Sequence, residues 1–138
     1  MKQSLAFEVH LKSSYDVALD QVATALKTEG FGILTSIDVR TTLREKLGQE
    51  FRPYAILGAC NPPLAHRALS REPLAGLLLP CNITVESDPH GGVIVRVGDP
   101  AVLLAVGGLD SDPILNGVAT EARQKLQRVV DSLKRLAG

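Results

Sequence analysis

Hydrophobic positions along this chain switch between two periods, and the switches outline its elements. Leu5, Phe7, Val9 and Leu11 alternate with other residues, which puts them on one face of a strand. Ser13 then opens a helix, three residues ahead of Asp16 as in a capping box, and Asp16 and Asp20 suit the positive end of the helix dipole. Ala18, Val22 and Leu26 recur at four-residue spacing with Leu19 beside them, and Lys27 and Gly30 stop the helix. Residues 31–39 predict a second strand, followed by a short helix that carries Val39, Leu43 and Leu47 and ends at Gly48. A third strand is predicted over 53–59.

Asn61-Pro62-Pro63 has the form of a helix start, with asparagine as N-cap and proline where a missing N–H is harmless. Leu64, Ala65, Ala68 and Leu69 form the inner face of that helix, and Pro73 ends it. Strands over 81–86 and 93–97 are predicted to pair through the turn formers Asp88-Pro89-His90-Gly91-Gly92. Asp99-Pro100 starts a short helical or irregular segment that runs to Gly107-Gly108. From Asp112-Pro113 the last helix carries Leu115, Val118, Ala122, Leu126, Val129, Leu133 and Leu136, each three or four apart. About 25 residues at about 1.5 Å each would span roughly 38 Å, more than a domain this small is wide, so part of the helix is expected to overhang. The order is β-α-β-α-β-α-β-β-α. It predicts an α+β fold, a mainly antiparallel sheet with helices packed on it in two layers, and one domain over residues 1–138.

Composition narrows the function classes. Of 138 residues, 45% are hydrophobic, which excludes a disordered chain. Fifteen Lys+Arg balance fifteen Asp+Glu, so no basic face is expected to displace counterions from nucleic acid. With three Phe, two Tyr and no Trp, no stacking platform for single strands is expected either. The longest apolar runs, 74–79 and 101–106, fall far short of the roughly 20 residues that span a bilayer. No membrane association is expected. Met1-Lys2-Gln3-Ser4 leads directly into a strand broken by Glu8 and His10, without a signal-peptide stretch. Two cysteines are too few for a secreted disulfide framework, and the expected compartment is the cytoplasm.

The chain has no G-x-x-x-x-G-K-[ST], G-x-S-x-G, HExxH or CxxC, and Gly91-Gly92 and Gly107-Gly108 have the context of turns. His10 falls on the polar side of an edge-like strand and His90 in a turn, so both are expected to be solvated. Arg40, Arg44 and Lys46 beside Glu45 suggest a solvated helix face, or alternatively an anion-binding rim. Asp99 and Asp112 before proline suit helix caps.

One local phrase occurs twice. Gly58-Ala59-Cys60-Asn61-Pro62 closes the third strand, and Leu79-Pro80-Cys81-Asn82-Ile83 opens the fourth. If those strands are antiparallel neighbours, the two thiols are expected within roughly 8 Å of one another beside a pocket, where a disulfide would need Cα atoms about 4.4–6.8 Å apart. Cys60 also precedes a helix N-cap, where backbone N–H groups and the dipole stabilise a thiolate, so it should be the more reactive. Three readings stay open. Both cysteines are small buried hydrophobes and both asparagines tie down turns. Or Cys60, Asn61, Cys81 and Asn82 line a small-molecule or metal pocket, with Cys60, Cys81 and His66 as the metal ligands and a fourth position open. Or the pair forms a reversible disulfide or reactive thiol, in a redox protein or an enzyme. No residue is assigned a catalytic role, and the cofactor is left unknown.

Thr42-Leu43-Arg44-Glu45-Lys46-Leu47-Gly48, Tyr54-Ala55-Ile56-Leu57-Gly58-Ala59-Cys60-Asn61-Pro62 and Leu77-Leu78-Leu79-Pro80-Cys81-Asn82-Ile83, with Asp99-Pro100 following, resemble a bacterial and archaeal family called domain of unknown function 302. The resemblance spans roughly residues 5–136. It implies an α+β fold with a layer of helices on a mainly antiparallel sheet, often crystallised as a homodimer. It carries over no catalytic assignment, but it raises the weight of the Cys60/Cys81 region. The preferred expectation is a small dimeric binding module with its cleft at the two Cys-Asn phrases. A structural, partner-binding dimer with inert cysteines is the other alternative, and the overhanging last helix would supply its two-fold interface.

Overall fold

Alternation and caps resolve into one five-stranded sheet in a computed structural model that describes residues 4–137. The elements are β1 (Ala6–Leu11), α1 (Tyr15–Thr28), β2 (Gly32–Asp38), α2 (Val39–Leu47), β3 (Tyr54–Cys60) and α3 (Pro62–Arg71). A short 3-10 helix (Pro73–Leu78), β4 (Cys81–Ser87), β5 (Val93–Gly98), α4 (Pro100–Val106) and α5 (Pro113–Ala137) follow. The predicted order holds, and the segment after Asp99 is helical. Strand order is β1-β5-β4-β3-β2, every pair antiparallel, so β2 to β5 form a meander and β1 adds beside β5.

The main core lies between one sheet face and two helices. Val9 and Leu11, Val93, Val95 and Val97, Ile83 and Val85, and Ala55, Leu57 and Ala59 meet Val22 and Leu26 of α1 and Leu126, Val129, Val130 and Leu133 of α5. A smaller cluster of Ala68, Ala75, Leu104, Leu115 and Ala119 joins α3, the 3-10 helix, α4 and α5. On the opposite sheet face, the buried Glu86 carboxylate accepts from Arg52 Nε at 2.6 Å and from Arg96 Nη1, and Arg96 Nε reaches Glu8 at 2.8 Å. Burial alone would push the Glu86 carboxyl up, but the Arg96 and Arg52 hydrogen bonds outweigh it and hold it below its ordinary value.

Two sequence expectations are corrected, the N-cap of α1 and the overhang of the last helix. Ser14, not Ser13, is the N-cap of α1: its Oγ accepts from the Val17 N–H at 3.3 Å, while Ser13 Oγ reaches sideways to Gln21 at 2.8 Å. The Val39, Leu43 and Leu47 stripe is covered only in part: Val39 and Leu43 are half-buried against the sheet, and Leu47 is exposed. α2 buries no residue and all of β2 is exposed: unlike β1 at the other edge, β2 contributes no residue to the core that α1 and α5 cover. The last helix does not overhang. α3 and α4 build the smaller cluster under its first turns and the sheet takes the rest, so of the apolar stripe only Leu136, at 59%, is exposed.

A candidate functional site at the end of the sheet

Strand register assembles the site. Ala59 lies opposite Cys81, Gly58 opposite Asn82, and Ile83 opposite Val97, so the ends of β3 and β5 and the start of β4 meet at one end of the sheet. Gly58 is what lets them close. A Cβ there would strike Thr35 Oγ1 on β2 and come within 2.6 Å of the Pro80 ring. Over this end stand α3, the 3-10 helix, α4 and α5. Between them and the sheet is a cavity of about 80 Å³. In that measure one water needs roughly 10–15 Å³, so there is room for several waters or a short carbon chain. Its walls are apolar and include Leu64, Ala68, Leu104, Leu115, Ala119 and Ala122.

All four predicted residues, Cys60, Asn61, Cys81 and Asn82, border this cavity. Their environments differ. Cys81 is half-buried and packs against the main core. Burial first, and the neighbouring Cys60 second, push its thiol up to about 11, so it is protonated at neutral pH. Cys60 is also half-buried, and both thiols are free. Because Cys81 faces Ala59 in the ladder, Cys60 is one residue out of register with it. Successive residues of a strand point to opposite faces, so the thiols adjoin one cavity without facing each other as a cross-strand pair.

Asn61 is committed to the scaffold. It is buried, its Oδ1 accepts from the Leu64 N–H at 3.4 Å to cap α3, and its Nδ2 donates to the Glu29 carbonyl at 3.2 Å. The same amide fastens the start of α3 to the end of α1. Gly30, at φ +82°, lies beside it, and a Cβ there would sit 3.2 Å from Nδ2. Asn82 is exposed at the mouth.

His66 is not part of the site. It is exposed on α3, two residues beyond the buried Leu64, which is about 200° around a helix of about 3.6 residues per turn. The proposed ligand set of Cys60, Cys81 and His66 is therefore not assembled, and no group of three His, Cys, Asp or Glu among the described residues could hold a metal ion. Sequence reasoning missed the wall. Ala75, Leu104, Leu115 and Ala119 belong to it, and the available signal was alanine at inward-facing positions where a filled core would carry larger side chains.

The fold and this cavity define a class: a two-layer α+β domain with an apolar pocket closed over one end of its antiparallel sheet. The chain belongs to the family described as domain of unknown function DUF302, whose model matches residues 7–133. It is similar to a solved structure, an uncharacterised conserved DUF302 protein from Bacillus stearothermophilus. That likeness has 30% identity, a TM-score of 0.82, and covers 94% of this chain and 98% of the other. No curated protein matches. No helix among the described residues is long and apolar enough to cross a membrane.

Proposed function

We propose that this protein is a binding module for a small, largely apolar molecule, held in the cavity with any polar end toward Cys60, Cys81 and Asn82. The observation that carries the reading is the cavity's make-up, apolar walls around a few convergent polar groups, which is the usual form of a ligand site. The alanines on its wall are what keep it from filling. Titration with a fluorescent apolar probe tests this, using Ala68→Phe to occupy the space. The variant should bind the probe at least about tenfold more weakly, the effect of about 1.4 kcal/mol. Unchanged binding by a folded Ala68→Phe protein would overturn the reading. A metal ligand has less support, since His66 lies outside the cavity.

A thiol-based role is the second reading, and the protonated Cys81 favours a single reactive Cys60 over a disulfide. We further propose a cytoplasmic homodimer. Free cysteines suit a reducing compartment. The dimer interface moves from α5 to the β2–α2 flank, where Ile33, Leu34, Ile37 and Leu47 are exposed along an edge strand that a two-fold copy would pair antiparallel. Sedimentation at tens of micromolar showing only a 14.7 kDa species would sink the dimer.

A further inference from the structure

We propose a second binding site, sharing no lining residue with the Cys60 and Cys81 cavity, that takes a small zwitterion of the α-amino acid class. It is an opening of about 370 Å³ between the start of β1, α4 and the first half of α5. Arg123 is held in place there. Its Nε donates to Asp99 Oδ2 at 3.0 Å, and its guanidinium carbon lies 5.2 Å from the centre of the Phe7 ring. Asp99 is buried, and its other oxygen accepts from the Ala101 N–H at 3.0 Å, so one carboxylate both caps α4 and aims the arginine.

Only Nε is used. Among the described residues the two terminal nitrogens of Arg123 make no hydrogen bond, which leaves a planar fork suited to a carboxylate. Asp110 and Asn116 border the same opening, and Asp110 has no ion-pair partner among the described residues. Ala101, Val102 and Ala105 line it with apolar surface. Asp99 already balances the charge of Arg123, so a simple anion gains little and meets Asp110, while a simple cation meets Arg123. A ligand with a carboxylate and an ammonium on one carbon answers both groups.

The experiment is a titration of ¹⁵N-labelled protein with L-alanine, L-leucine, acetate and methylamine, following the amides of Phe7, Ala101 and Ala105 and the Nε–H of Arg123. Both amino acids should give saturable shifts at these positions, with acetate and methylamine binding about tenfold more weakly or worse. Asp110→Asn leaves the Asp99–Arg123 pair intact. It should weaken the amino acids about tenfold and leave acetate unchanged or improved. Arg123→Lys, which keeps the charge but loses the fork, should weaken both. No saturable shift at tens of millimolar would overturn the proposal. So would acetate matching the amino acids, or Asp110→Asn binding them as before.

Discussion

The sheet has a covered part and a bare flank. From β1 through β3, alternate side chains sink into α1 and α5, and residues such as Ile83, Val85 and Val95 are fully buried. One strand further on, β2 carries Ile33, Leu34 and Ile37 into solvent, and α2 adds Leu47. The local chemistry of the two regions is alike: β-branched strands, capped helices and a four-residue apolar spacing. What differs is whether a second layer exists to receive the apolar face. A hydrophobic pattern therefore specifies an element, while its burial is decided by what the rest of the chain places opposite it.

Core truncation should separate the regions most sharply. Leu126→Ala, from a fully buried site, should lower unfolding free energy by about 2–5 kcal/mol, against under about 0.5 kcal/mol for Ile37→Ala in the monomer, both read by urea denaturation. If Ile37→Ala proves as damaging at high protein concentration and harmless on dilution, the flank is covered by another copy. Gly58→Ala should come next, at about 1–3 kcal/mol, because its Cβ would wedge β2 and the Pro80 turn apart where the regions join. Asn61→Ala should remove about 1 kcal/mol as a lost cap, with some loss of the tie to Glu29.

Two titrations sharpen the contrast without a stability series. The Glu86 carboxyl is depressed in the folded state, so its contribution is present at neutral pH and lost as pH falls through that depressed value. Glu86→Gln should flatten the acid side of a stability-against-pH curve. The Cys81 thiol is raised from about 9 to about 11, so its contribution is full below about 9 and lost as pH rises toward 11. Cys81→Ser should remove that alkaline decline. At pH 8 iodoacetamide should modify Cys60 first. Cys60→Ser should abolish the fast phase and Cys81→Ser should leave it, whereas equal rates would end the single-thiol reading.

Local signals were legible where local chemistry decides. Asn61 before two prolines caps a helix whatever surrounds it, and the 88–92 turn places Gly91 and Gly92 at positive φ as a tight hairpin needs. Register between β3 and β4 brought both Cys-Asn phrases to one cavity, as antiparallel neighbours must. Long-range facts were not legible. Val39, Leu43 and Leu47 have the spacing of a buried stripe, and no local feature reveals that α2 follows a strand outside the covered part of the sheet. The α5 stripe looked too long for one core because the second cluster, built by alanines of α3 and α5 with Leu104 and Leu115, has no strong apolar pattern of its own. His66 shares a helix with Leu64 and Ala68, and only its angular position keeps it out.

The sheet's strand order also sets a timetable. β2 through β5 pair with the strand that precedes or follows them, whereas β1 pairs with β5, joining Ala6 to Gly98 about ninety residues later. Of the five strands of this sheet, the first to be synthesised is thus the last that can pair. Until β5 emerges, β1 has an apolar face and two open edges, the kind of exposed strand that invites wrong partners during synthesis. Closing so long a loop is also the entropically slow step of such a topology. In a refolding experiment, hydrogen-exchange protection should appear in the β3–β4–β5 meander before it reaches Val9 and Leu11.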